Sequence, residues 1–253
     1  MILPVQKSIP AARLQDYFIL IYGREKIGKT TLCAEFEDTL MLMCEPGGKA
    51  ISAYQLPIRS WAEFLEAIKL LQTSPRFKTV AVDTADALYN YCMAHMLQKM
   101  GVEHASDEDW GKGWELIRRE FEKQIYKLLR LNRGVIMTSH EKVREIKRAF
   151  KDPVSQVVPS MANGARAVLE PMVDIWGYYS YTDKGRRLLI RGNADIHAGC
   201  RLEKHFVGVE SIDMGNSAKE AYLNFKAAFD KTEADFVATK KSTTLKLGKK
   251  IGA

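Results

Sequence analysis

The stretch YGREKIGKTTLCAEF, Tyr22 to Phe36, follows the short apolar run FILI and decides the fold. Its residues Gly23-Arg24-Glu25-Lys26-Ile27-Gly28-Lys29-Thr30 fit the pattern G-x-x-x-x-G-K-S/T of a phosphate-binding loop. A random chain of this length matches by luck on the order of once in a hundred times. The context narrows that further, because the motif needs a strand before it and a helix after it. YFILIY (17–22) reads as a buried strand, and a helix is expected to begin near Lys29. Glycines let backbone N–H groups turn inward around phosphates, and the helix N-terminus adds positive potential. Residues Gly23 to Thr31 are therefore the expected nucleotide cradle. Lys29 should reach the β- and γ-phosphates of ATP, and Thr30 should hold Mg²⁺.

Outward from the loop, TLMLMC (39–44) reads as a second strand, closed by the turn residues Glu45-Pro46-Gly47-Gly48. Ser60-Trp61-Ala62-Glu63 is a capping box opening a helix. FKTVAVDTAD (77–86) gives a third strand ending in Asp83, and a helix follows it. A long amphipathic helix is expected over 108–132, then the short strand GVIMTSH (134–140). Strand, loop and helix alternate with buried-looking strands. That grammar predicts an α/β fold with a mostly parallel central sheet and helices on both faces.

After 140 the pattern changes. Residues 141–170 are basic and irregular, and KVREIKRAF has helical spacing. VDIWGYYSYTDKGRRLLIRGN reads as an antiparallel hairpin about Asp183-Lys184-Gly185, and Ser217 to Glu220 caps a last helix. The expected organisation is one domain over 1–231 and a flexible basic tail over 232–253.

An acid at a strand end beside a phosphate loop has a specific use. Asp83 is expected to bind Mg²⁺ through water, together with Thr30. Asp86 is the spare, with a plainer role as a first-turn helix acid. Glu45 ends the second strand, where a parallel sheet opens its ligand crevice. It is either a turn acid or the group that positions the attacking water. His140 ends another strand and either bonds backbone or senses the γ-phosphate. His95, His104, His197 and His205 show no ligand spacing.

The formal net charge of +7 favours polyanionic partners. The four cysteines, Cys33, Cys44, Cys92 and Cys200, are scattered, which argues against a zinc site or a disulfide framework. MILPVQKSIP lacks the marks of a signal peptide, and no apolar run is long enough to span a bilayer. A cytoplasmic protein without membrane contact is expected.

Together YGREKIGKTTL, MCEPGG, VAVDTADAL, GVIMTSHEK and IHAGCRL resemble the RecA-like P-loop ATPases, over roughly residues 15–205. The phage type is the nearest likeness, including the Sak-four group of single-strand annealing proteins. The resemblance implies an Mg²⁺-dependent ATPase with ATP between subunits of a ring or filament. Glu45 would activate water and His140 would sense the γ-phosphate. Of a Lys-x-Arg pair reaching into the neighbouring subunit, only Arg201 matches; Gly199 replaces the lysine.

It further implies single-stranded DNA as partner. The DNA-contacting segment would follow His140 and use Lys142, Arg144, Lys147, Arg148 and Lys151, with Arg166 nearby. Trp176, Tyr178 and Tyr179 either stack on bases or pack a strand's faces. The lysine tail either binds DNA or a single-strand-binding protein, or simply solubilises. The expected function is annealing or strand pairing in phage-type recombination. A helicase or helicase loader, and a DNA-binding scaffold with structural ATP, stand as rivals.

Overall fold

The computed structural model describes residues 3–107, 111–148, 151–183, 185–202 and 204–231. The expected lysine tail, the turn residue Lys184 and the first residues of the long helix lie outside them.

The chain enters its core with β1 (Phe18–Gly23), every residue of which is buried. Its side chains alternate between two cores: Phe18, Leu20 and Tyr22 face one side, Ile19 and Ile21 the other. A strand of six apolar residues can be buried on both faces only in a sheet covered by helices on both. The helix α1 (Lys29–Ala34) follows the loop, then β2 (Thr39–Met43) and a short strand β3 (Tyr54–Pro57) that has no counterpart in the sequence reading. The helix α2 (Trp61–Thr73) begins at Ser60, whose hydroxyl accepts from the Glu63 N–H at 3.2 Å. Next come β4 (Thr79–Asp83), α3 (Ala85–Met100), α4 (Lys112–Leu129) and β5 (Gly134–Ser139).

The basic segment after His140 is not helical. It forms β6 (Glu141–Arg148) and β7 (Lys151–Pro159), an antiparallel ribbon separate from the main sheet. The i, i+3 spacing of Val143 and Ile146 suggested a helix. Cross-strand pairing with the β-branched run VSQVV, as in Ile146 with Val154 and Val143 with Val157, overrides it. A short helix α5 (Asn163–Leu169) leads to β8 (Ile175–Thr182), β9 (Gly185–Leu189), β10 (Gly199–Cys200), β11 (Ser211–Gly215) and α6 (Ala218–Asp230). The expected hairpin is present as β8 and β9, but it is no appendage. Its first strand pairs in parallel with β1 and extends the main sheet.

The sheet order is β11-β9-β8-β1-β5-β4-β2-β3, with β10 on β8. From β8 to β3 all pairings are parallel. One core lies against α2 to α5, and the other against α1 and α6. This is the α/β core of a P-loop NTPase. Its parallel strands deliver the ends of β1, β2, β4 and β5 to one rim. None of the described helices is long and apolar enough to cross a membrane.

Candidate functional site

The phosphate loop spans Gly23 to Thr30 between β1 and α1. Gly23 pairs with Tyr179 of β8, and a β-carbon there would lie 2.1 Å from the Tyr179 carbonyl oxygen. Glycine is thus required by a backbone approach. Gly28 has φ +103°, and Lys26 also has positive φ at 60°. Ile27 is fully buried and holds the loop by its side chain, while Arg24, Glu25 and Lys26 are exposed. The first residues of α1 leave N–H groups with no intrahelical acceptor.

Lys29 is 5% exposed, and its ammonium donates to the carbonyls of Gly23 (2.8 Å) and Arg24 (2.7 Å). Burial pulls its pKa down, and the negative field of Asp83, Asp86, Glu141 and Glu45 opposes that. The Thr30 hydroxyl donates to Asp83 Oδ2 at 3.0 Å, and the Thr138 hydroxyl of β5 donates to Asp83 Oδ1. The Asp83 carboxylate therefore ties the first turn of α1 to the ends of β4 and β5.

Glu45 arrives beside it for a backbone reason. The Asp83 carbonyl accepts from the N–H of Cys44 (2.8 Å) and of Glu45 (3.3 Å), so pairing of β2 with β4 continues past Met43. The Glu45 carboxylate takes two contacts. The Thr84 hydroxyl donates to Oε1 at 2.5 Å, and His140 Nε2 lies 3.1 Å from Oε2. Thr84 also caps α3 by accepting from the Ala87 N–H at 3.3 Å. The other ring nitrogen of His140, Nδ1, is buried without a hydrogen-bond partner among the described residues.

A cavity of about 570 Å³ opens here, lined among others by Gly28, Lys29, Thr30, Glu45, Asp83 and His140. Its size suits a nucleotide. The residues also fit Mg·ATP chemically: a glycine loop opening a helix N-terminus, a buried ammonium, and a hydroxyl–carboxylate pair of the kind that holds Mg²⁺. A slightly larger cavity, about 650 Å³, lies elsewhere between α3, α4 and α5 and lacks such a constellation.

The structure thus brings Lys29, Thr30, Asp83, Glu45 and His140 together. It places Asp86 just behind them: one oxygen accepts from the Ser160 hydroxyl, and the other is buried with no hydrogen-bond partner among the described residues. Arg201 is not part of this group. It donates to the Pro171 carbonyl at 2.7 Å and lies 3.6 Å from Asp174, whose other oxygen accepts from the Phe18 N–H. That is where β1 begins, the opposite end of the strand from the loop.

The ribbon of β6 and β7 grows out of the site. His140 separates β5 from β6, and its carbonyl accepts from the Ser160 N–H at 2.9 Å where β7 ends. Lys142 does not project freely; its ammonium donates to the carbonyls of Ser160 (2.8 Å) and Met161 (3.2 Å). Its pKa is lowered by burial, then by the nearby charges of Arg166 and Arg144. The three cations share one neighbourhood, and Arg144 is exposed. Lys147, Arg148 and Lys151 lie on the strands toward the far end, and their side chains fall outside the described residues.

Trp176 (4% exposed) and Tyr179 (fully buried) pack the core and are not available for base stacking. Tyr178 is half-buried against Tyr22, its hydroxyl pushed up to about 12 by burial and a hydrogen bond to Glu141. Tyr22 itself donates to the carbonyls of Val157 (3.0 Å) and His197 (2.7 Å), joining the loop's strand to β7. Thr84, Thr138 and Tyr22 were not singled out from sequence. A lone hydroxyl after a strand-end acid is the only signal Thr84 carries.

The AAA domain family matches residues 15–202. The chain is also 31% identical over 176 residues to the SPbeta prophage-derived uncharacterized protein YorG of Bacillus subtilis (strain 168). That match covers 67% of this chain and 51% of the relative, so the alignment spans about half of the relative's length.

Proposed function

The chain belongs to the AAA domain family, and from that premise we propose that it binds Mg·ATP and hydrolyses it. The observation that carries this is the Asp83 carboxylate, shared by Thr30 of the loop and Thr138 of β5, with Glu45 and His140 paired beside it. In this reading Lys29 and the loop N–H groups hold the phosphates. Thr30 and Asp83 would hold Mg²⁺, which would supply neutralisation of charge on the transferred group. Glu45 orients water, and His140 links the γ-phosphate to Glu45. Catalysis is then positioning and charge stabilisation rather than covalent chemistry.

We further propose single-stranded DNA as the partner and phage-type recombination, by annealing or strand pairing, as the setting. Three things support this: the net charge, the cationic neighbourhood of Lys142, Arg144 and Arg166, and the continuity of that ribbon with His140. The prophage origin of the relative agrees with a phage setting. The Sak-four likeness, a homo-oligomer with Arg201 acting across a subunit boundary, and a cytoplasmic location belong to the same proposal. Arg201 favours action in trans over action in cis, because it stands at the wrong end of its own β1. A helicase or loader role remains the second reading for the same ATPase core.

The test is Mg·ATP hydrolysis by the purified chain, with and without single-stranded DNA, at two salt concentrations. Stimulation that fades as salt rises supports a phosphate-contacting DNA site coupled to the loop. Hydrolysis indifferent to DNA removes DNA as the partner. No hydrolysis at all leaves a nucleotide-binding scaffold.

A further inference from the structure

A cation from outside the phosphate loop stands beside it. Arg186, on β9, pairs with Tyr181 of β8, and its guanidinium lies 5.9 Å from the Tyr181 ring centre. It reaches the loop: a methyl group added to Gly28 would lie 3.5 Å from Arg186 Nη1 and 3.1 Å from Thr31 Oγ1. No ion pair among the described residues includes Arg186. Burial lowers its pKa, but Tyr181 and Tyr179 outweigh that and raise it, so the guanidinium stays charged; with no carboxylate on it among the described residues, it can meet an anion close to the loop that holds Lys29.

The sheet order says which part of a nucleotide would meet it. Asp83, Glu45 and His140 come from β4, β2 and β5, all on one side of β1. They mark the metal and γ-phosphate end. Arg186 comes from β9, on the other side of β1, together with the side of α1 that carries Thr31. We infer that Arg186 contacts the nucleotide in cis on its α-phosphate side, as a binding residue and not as a trigger of hydrolysis. The inference rests on the nucleotide-binding reading above and adds a residue to it.

An arginine at that place holds ADP and ATP alike, because both carry the α-phosphate. Loss of one charge-assisted hydrogen bond at a partly exposed position corresponds to about a tenfold loss of affinity. The experiment is titration of the wild-type chain, Arg186→Ala and Arg186→Lys with fluorescent Mg·ADP and with a non-hydrolysable Mg·ATP analogue, followed by kcat at saturating ATP. Thermal unfolding without nucleotide checks that each variant is folded, and the lysine variant serves if alanine is not tolerated. The expected result is about tenfold weaker binding of both nucleotides in the alanine variant, partial recovery with lysine, and kcat within about twofold of wild type. Weakening of the triphosphate alone, or a fall in kcat with unchanged affinity, would move Arg186 to the γ-phosphate and overturn the inference. Unchanged binding of both nucleotides overturns it as well. A wild-type chain that binds neither nucleotide refutes the nucleotide reading itself, a result distinct from the other three.

Discussion

Asp83→Asn separates the metal from the rest of the site. Without nucleotide the change is mild in shape. Asparagine keeps an acceptor for one of the two threonine hydroxyls and presents an amide donor to the other, so the contacts to Thr30 and Thr138 can both persist. What is lost is the negative charge. With Mg·ATP at about 100 times its Kd, the wild-type chain gains about 2.7 kcal/mol of stability by mass action. At about 2–4 °C per kcal/mol for a chain of this size, that is a Tm rise of about 5–11 °C. The variant should rise by less than about 2 °C in Mg·ATP, because a neutral amide is a poor partner for the cation.

Lys29 supplies a second signature of the same variant. Burial holds its pKa below the ordinary lysine value, and Asp83 is the foremost charge opposing this. Removing that charge deepens the depression. Between the lowered folded value and the unfolded value near 10.4, the native chain binds fewer protons than the unfolded chain, so stability rises with pH in that window. The nucleotide-free variant should therefore regain stability on the alkaline side relative to wild type, while its affinity for ATP falls. Thermal unfolding across pH, with Mg·ATP, with ATP and EDTA, and with neither, reads all of this. A variant whose Mg·ATP shift equals that of wild type would refute the metal role of Asp83.

Glu45→Gln keeps the side chain's shape and an acceptor oxygen for one of its two contacts, to Thr84 or to His140, so ATP affinity should stay within about threefold while turnover falls about 10²–10⁴-fold. Steady-state hydrolysis measures it, and unchanged turnover would assign water activation elsewhere. Tyr22→Phe removes the donor shared by the carbonyls of Val157 and His197; the expected cost is about 1–2 kcal/mol, seen as a lower urea midpoint at constant m-value. A midpoint matching wild type would mean those carbonyls find another partner. Arg144→Ala should reduce the salt dependence of single-stranded DNA binding by about 0.7 in logarithmic slope. Lys142→Ala, by contrast, should chiefly loosen the base of the ribbon, because its ammonium is spent on the carbonyls of Ser160 and Met161.

The first half of the fold was legible because its signals are local. A buried strand, glycines at fixed spacing and a helix start define β1, the loop and α1, and the Asp83 strand follows the same grammar. Both Glu45 and His140 were expected at the site, but their direct contact was not legible, since it depends on β5 lying between β1 and β4, a pairing over more than 50 residues. The ribbon of β6 and β7 was misread because a short mixed apolar pattern satisfies both a helical and an alternating period. The strands β3 and β11, four and five residues long, sit at the sheet edges, where pairing and not composition makes a strand. The role of Thr138 could not be read either, because one hydroxyl leaves no periodic trace.

A single residue, His140, joins β5 to β6, and this has a mechanical consequence. The ribbon is mounted on the site without slack. Its eight- and nine-residue strands extend about 26–30 Å at 3.3 Å per residue. A rotation of only about 5° at that mount would sweep the far end through about 2–3 Å, nearly the rise of one strand residue. Gearing of this kind would turn a side-chain adjustment at the Glu45–His140 pair into a stroke long enough to change what the outer half of the ribbon touches.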